Sequence, residues 1–421
     1  MIEGPIFTSS GYGEHCRLVY RALRKNKNLD IFLHPVNWGQ TSWTLEASPE
    51  REELEELVKK STLALRSVPK ESWKEIFDIY VHVGIPSEFS KNGKFSVSVT
   101  AGIETNKVSS QWILKTHTDI DKMIVPSEHS KSGFVNSFYD VKDQSGNEAS
   151  INAGCPISVV PYPVKTYENI DPIIDLDTDF NFLSIALWGS RKNNENLIKW
   201  FVEEFKDENV GLVLKTGFAR TSKPDRVNME KHLTGLLNSL EIPDRKCKIY
   251  FLHGALTDQE IHSLYTHPKI KAYATATHGE GFGLPIFEAA YSGLPVIATD
   301  WSGHLDFMIG PLKENNKIKL KKLFAKVDFD LKKLSERELW DHILIKDSMW
   351  AIPKERSFKT QLRNVYKNYG MYKKWAISLK DELLDSHSEE EILKLMEKEI
   401  LEDSSVELNF EESEGDGVIV L

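Results

Sequence analysis

Cysteine is scarce in this sequence. The three present among 421 residues, Cys16, Cys155 and Cys247, are widely separated and form no Cys-x-x-Cys pair. That argues against a disulfide framework and against a cysteine-based zinc site, and it points to a reducing compartment. Long apolar runs are lacking too: none approaches the ~20 residues that span a bilayer. The first residues, MIEGPIFTSS, have no basic stretch followed by an apolar core, the pattern a secretory signal requires. These absences lead to the expectation of a cytoplasmic protein with no integral membrane association.

What is present suits a sizeable two-domain globular chain. The length is comfortable for two domains, and an apolar fraction of 40% is ordinary for a protein with a real core. The formal charge of −10 is unevenly spread. From Asp381 onward there are 15 acidic residues and 2 lysines, which leaves 48 acidic and 51 basic residues in 1–380. The body is therefore slightly basic, and the acidity is expected in a solvated tail, 402–421 above all.

Short β-rich apolar runs alternate with helical patterns from the start. MIEGPIF, LDIFLHPV, FDIYVHV, FSVSVTA, KMIVPS and ISVVPYPV form one series; FLSIALWG, VGLVLKTG, CKIYFLHG, KAYATAT and LPVIATD form a second. Near-continuous apolar strands with helices between them predict parallel sheets covered on both faces. The acidic, proline-bearing stretch 164–179 reads as the link between the two series. The expected fold class is α/β, with two doubly wound Rossmann-like domains facing a cleft, C-terminal helices and an acidic tail. The expected boundaries are 1–163, 164–355, 356–401 for helices that partly pack back on the first domain, and 402–421. In such sheets ligands bind beyond the carboxyl ends of the strands, here in the cleft between domains.

The most specific segment is His278-Gly-Glu280-Gly-Phe-Gly-Leu-Pro285-Ile-Phe-Glu288. Gly281 and Gly283 allow close backbone approach to a ligand. Pro285 suits the first turn of a helix, and free amides there favour a phosphate. Glu280 before the helix and Glu288 about one turn inside it can each accept a pair of sugar hydroxyls.

This segment, with the following Val296-Ile-Ala-Thr-Asp300-Trp-Ser-Gly303, resembles the glutamate–seven–glutamate motif of retaining GT-B glycosyltransferases, particularly family 4. The resemblance covers most of residues 1–380 and is strongest from Gly254 to Asp306. It implies that Glu280 contacts the transferred sugar, that Glu288 contacts the ribose, and that the loop Gly281-Phe282-Gly283-Leu284 contacts sugar and phosphate. The donor substrate implied is a nucleoside-diphosphate sugar, with no cofactor and no metal. On this reading the first domain takes the acceptor and the second the donor.

Other motifs fall into place around it. Gly189-Ser-Arg191-Lys192-Asn193 follows a strand, where two cations can neutralise a departing diphosphate. Lys192 matches the phosphate-binding lysine of the family; the family's arginine usually stands several residues earlier, where this chain has Leu187 and Trp188, so Arg191 is the candidate replacement. A surface helix start explains the same cations without function. Ser10-Gly11-Tyr12-Gly13 resembles the family's N-terminal glycine-rich loop, which puts Gly11 and Gly13 on the donor and Tyr12 on the acceptor side. Thr100-Ala-Gly102-Ile-Glu104-Thr105 lacks the histidine many members carry there; Glu104 is the candidate base or orienter. His304 is a further acceptor-side candidate, and Asp306 either lines the cleft or caps a helix.

Asp175-Leu-Asp177-Thr-Asp179 looks like a metal-binding acidic triplet but lies in the expected linker, so a solvated role is the expectation. His278 reads as a polar loop histidine. The lysines from Lys313 to Lys333 read as a solvated face, with a polyanionic acceptor as the other possibility. Several phrases (SGYG, NWG at 37–39, TAGIET, VPSEHSKSGFV, DWSGHLDF) resemble members encoded by large tailed bacteriophages. That likeness implies hydroxymethylcytosine in phage DNA as an acceptor and a host-cell cytoplasmic setting. A glycan or lipid-linked saccharide acceptor is the alternative, as is a nucleotide-sugar-binding module without catalysis.

Overall fold

The computed structural model describes residues 1–39, 41, 43, 47–142, 148–314 and 317–404. In the first half, six parallel strands lie in the order Leu33–Pro35, Ile2–Gly4, Ile79–Val83, Phe95–Val99, Lys122–Val125, Ile157–Val159. In the second, the order is Lys248–Leu252, Gly211–Lys215, Asn181–Ile185, Ile270–Ala274, Val296–Thr299, Ala325–Val327, again all parallel. Strand order reverses beside Ile2–Gly4 in one sheet and beside Asn181–Ile185 in the other, which marks where a doubly wound sheet opens a crevice. The fold is the expected pair of Rossmann-like domains.

The apolar runs are continuous because both faces of each sheet are covered. Phe182, Leu212 and Leu214 face Phe201, Phe205, Phe358 and Leu362. On the opposite face Leu183, Val213 and Tyr273 meet Tyr265, Ile286 and Phe287. Each such fully buried side chain contributes about 1.5–3 kcal/mol of transfer free energy. The second cluster is not confined to one half: it continues through Tyr162 and Phe282 to Ile2, Leu18 and Val19. The Tyr162 and Phe282 rings are 5.0 Å apart across the junction.

The helices Glu355–Lys367 and Tyr369–Ser386 follow the second sheet, and Glu389–Leu401 returns to the first. There Asn26 donates to Glu397 at 2.8 Å, and the buried Lys122 pairs with Glu399 and Asp403 at 2.8 and 2.7 Å. The stretch from Asp381 to Asp403 is docked through its apolar side, while most of its carboxylates, among them Glu389, Glu390, Glu391 and Glu402, remain exposed. Ile392, Leu393, Met396 and Ile400 give its last helix a buried face, and the acids occupy the other sides. The remainder of the expected acidic tail, 405–421, lies outside the described residues.

The lysine run forms an antiparallel hairpin, Ile309–Glu314 with Lys317–Lys322, followed by the strands Ala325–Val327 and Phe329–Lys333. No described helix is long and apolar enough to cross a membrane.

Candidate active site

The loop after Ile270–Ala274 is held from several sides. The Glu280 amide donates to Ser302 Oγ at 2.9 Å, and its carbonyl accepts from the Gly303 amide at 2.9 Å. Gly281 has to be glycine: a Cβ there would lie 2.1 Å from the Ala101 carbonyl of the first domain. The Gly281 carbonyl in turn accepts from Ser127 Oγ at 2.5 Å. Gly283 adopts φ +97°, a left-handed conformation that glycine takes at little cost. It starts the helix Leu284–Tyr291, with Pro285 in the first turn. His278 is buried, stacked 4.9 Å from Trp350, with Nδ1 2.8 Å from the Ala351 carbonyl. Its role is to hold the loop.

Two cationic side chains converge on Glu280. Lys192 Nζ donates to Oε1 at 2.6 Å and Arg191 Nη1 to Oε2 at 2.8 Å. Arg191 Nε also lies 3.1 Å from Glu104 Oε1, on the opposite side of the cleft. Burial alone would raise the Glu280 pKa, but Lys192 and Arg191 hold it down at about 2. Burial and the neighbouring Arg191 lower the Lys192 pKa, while Glu280 opposes both. The Arg191 guanidinium is also desolvated, yet Glu104 and Glu280 secure its charge. Two cations and two carboxylates therefore share one partly enclosed site. An incoming diphosphate can take over the cations from Glu280, which frees that carboxylate for hydroxyl groups.

Glu288 sits one turn inside the helix Leu284–Tyr291. Tyr265 donates to its Oε2 at 2.8 Å. Burial pushes its carboxyl up to about 7, against the lowering effect of that hydrogen bond and of Lys165. Glu288 and Leu284 line a cavity of about 220 Å³ together with Ser10 and Gly11 of the first domain, Lys165 and Asp258. Ser10 caps the helix Gly11–Leu23 by accepting from the Gly13 amide at 3.0 Å. Gly11 thus faces the start of the motif helix across the cavity, while Gly13 lies buried in the turn behind it. Phe282 packs its ring into the core against Tyr162 and Phe307.

On the first domain, the Tyr12 ring lies 4.3 Å from Trp38, and its hydroxyl is 3.0 Å from Thr100 Oγ1. Burial raises the Tyr12 pKa, so it remains a neutral phenol. Tyr12, Trp38 and Glu104 form the rim opposite the donor loop. His304 is not on that rim. It is fully buried behind the loop, with Nε2 2.8 Å from the Thr299 carbonyl. Asp306 accepts from the Glu128 amide at 2.7 Å, and so caps a helix belonging to the first domain.

Asp177 and Asp179 are exposed and pair with Lys248 and Lys269 at 2.7 and 3.5 Å. Among the described residues, no group of three or more His, Cys, Asp or Glu is placed to hold a metal ion.

Sequence reasoning did not find Tyr265, Lys165 or Glu14. Glu14 is a half-buried carboxylate paired with Arg17, Arg21 and Lys165 at 3.0, 3.0 and 2.8 Å. Tyr265 and Lys165 act on residues in other elements and leave no local signature, whereas Glu14 has a local one in its i,i+3 spacing to Arg17. Trp38 stood in the phrase NWG but was not assigned a place.

The fold and site together define a GT-B architecture. Residues 168–320 match the family model of glycosyl transferases group 1, so the second half carries a domain of that group. Among curated proteins nothing matches the chain. Of solved structures, the sucrose-phosphate synthase of Thermosynechococcus elongatus is 14% identical with a TM-score of 0.57, covering 94% of this chain and 96% of its own. HepE of Anabaena, in complex with UDP-glucose, is 12% identical with a TM-score of 0.54, covering 94% and 97%. The pneumococcal O-GlcNAc transferase GtfA, in complex with UDP and GlcNAc, is 15% identical with a TM-score of 0.45 over 77% of this chain. The match spans only 56% of GtfA. At these identities the likeness concerns the fold.

Proposed function

We propose that the protein is a retaining, metal-independent glycosyltransferase that moves a sugar from a nucleoside-diphosphate sugar to an acceptor hydroxyl. The observation that carries this is the convergence of Lys192 and Arg191 on Glu280, with Glu288 one turn inside the helix that follows the loop. The group 1 domain at 168–320 and the UDP-glucose held by HepE, which shares the fold, support it. The first domain is assigned to the acceptor, residues 164–355 to the donor.

The donor lies in the cleft with its diphosphate on Lys192, Arg191 and the amides at the start of Leu284–Tyr291. As the sugar–phosphate bond breaks, negative charge grows on the diphosphate, and these preorganised donors stabilise it. Two fixed cations fill the place a divalent ion would otherwise take. Glu280 orients the sugar, and Glu288 takes the ribose hydroxyls. The acceptor hydroxyl enters from the Tyr12–Glu104 side, on the leaving-group face, and a phosphate oxygen receives its proton. Glu104 positions the acceptor and is itself held by Arg191.

The acceptor rim favours an uncharged polyhydroxyl compound such as a glycan. Glu104 is the charged side chain there, and its cationic partner Arg191 is already shared with Glu280. The phage-like phrases keep hydroxymethylated cytosine in DNA as the second acceptor to test, in a host cytoplasm. The test is release of nucleoside diphosphate from UDP-glucose and related donors, with glycan and modified-DNA acceptors in parallel. Transfer with inversion, or release of sugar phosphate, refutes the retaining reaction.

A further inference from the structure

Lys215 is the last residue of the strand Gly211–Lys215, next to Asn181–Ile185, the strand that leads into Arg191 and Lys192. Side chains alternate along a strand. Leu212 and Leu214 enter the core facing Phe201, whereas Val213 enters the one with Tyr265 and Phe287. Lys215 therefore leaves the sheet on the Val213 side, the side that carries Glu288. Its ammonium donates to the Gly254 carbonyl at 2.9 Å. Among the described residues no carboxylate pairs with it, and burial lowers its pKa. Every other lysine or arginine named in this site faces a carboxylate. A half-buried ammonium satisfied by one backbone carbonyl keeps donors to spare.

The loops beside it are tied together by hydrogen bonds. Asp225 accepts from the Phe218 and Ala219 amides at 3.1 and 3.2 Å and lies 2.7 Å from His253 Nε2. This ties the loop after Lys215 to the loop that contains Gly254. Across the carboxyl edge of the sheet the order is then Glu280, Arg191 with Lys192, Lys215, His253. A donor laid along that edge has its sugar at the first, its diphosphate at the second, and its base at the third.

We infer that Lys215 reads the nucleobase of the donor by donating to a ring carbonyl, and so selects keto bases (uracil or guanine) over adenine. An ammonium has no acceptor to offer the adenine amino group. The inference rests on the donor reading proposed above, and it goes further by naming the base class.

The experiment is calorimetric titration of the full chain with UDP, GDP and ADP, for wild type, Lys215→Met and Lys215→Arg. Wild type is expected to bind UDP or GDP at least tenfold more tightly than ADP. Lys215→Met should bring that diphosphate down to the ADP level while ADP binding stays the same, which also shows that the variant is folded. Lys215→Arg, which keeps the charge and donors, should recover part of the preference. Equal loss for all three diphosphates assigns Lys215 to phosphate or to folding and overturns the inference. So does unchanged selectivity in Lys215→Met, which leaves the donor site standing. If wild type binds none of the three, the donor reading itself fails.

Discussion

Arg191 spans the cleft: its Nε is 3.1 Å from Glu104 of the first domain, while its Nη1 is 2.8 Å from Glu280 of the second. One guanidinium thus links the acceptor rim to the donor loop. Removing it strips Glu104 of its cationic partner and leaves Glu280 with Lys192 alone. Arg191→Ala is expected to destabilise the protein by about 1–3 kcal/mol, the range for stripping one partner from a partly buried pair. Urea denaturation checks this, and Glu104→Gln in the same background should recover part of the loss. No recovery means that the two residues are not coupled.

Lys192 donates to Glu280 at 2.6 Å and is the main cation for the diphosphate on this account. Lys192→Met is expected to weaken UDP binding at least tenfold, about 1.4 kcal/mol. Glu280→Gln should leave UDP binding equal or tighter, because it stops competing for the cations, yet lower turnover by about 100-fold. A parallel loss of binding and turnover in Glu280→Gln contradicts the competition.

Glu288 carries a pH signature. Burial raises its carboxyl to about 7 in the folded protein, above the range of an exposed glutamate. The folded state therefore holds a proton that the unfolded state has lost. That contribution to stability is complete at acid pH, below the unfolded pKa, and is lost as pH rises through about 7. Between pH 5 and 8, the Tm of wild type should fall relative to that of Glu288→Gln. Ribose hydroxyls prefer the ionised acceptor, so UDP affinity should rise over the same interval in wild type only. Identical profiles for the two proteins contradict both statements.

Gly281 packs tightly against the first domain, where an added Cβ would lie 2.1 Å from the Ala101 carbonyl. Gly281→Ala has to push the first domain away from the donor loop. Turnover is expected to drop by about 100-fold, the scale of a 1 Å misplacement, with UDP binding affected far less. Single-turnover kinetics beside UDP titration separates the two effects.

Much of the fold was legible in the sequence because parallel strands buried on both faces leave continuous apolar runs. FDIYVHV and VGLVLKTG fall on Ile79–Val83 and Gly211–Lys215. MIEGPIF overreached, since pairing stops at Gly4 where Pro5 follows. Glu280 and Glu288 were visible because glycines and a proline fix the backbone between them. What surrounds them was not. Tyr265 under Glu288, Glu104 at Arg191 and Asp306 on the Glu128 amide are tertiary contacts without a local pattern. His304 was expected near the acceptor, but it sits behind the loop because its ring satisfies the Thr299 carbonyl. The acids after Asp381 are mostly exposed, and the apolar stripe of Glu389–Leu401, which composition alone does not show, is what docks that helix.

The most direct test of the account is calorimetric titration of UDP and UDP-glucose into wild type, Glu288→Ala and Lys192→Met. Binding in wild type, with each variant at least tenfold weaker at unchanged fold by circular dichroism, is the expected result. Equal affinity in all three proteins contradicts the donor site built on Glu280, Glu288 and Lys192.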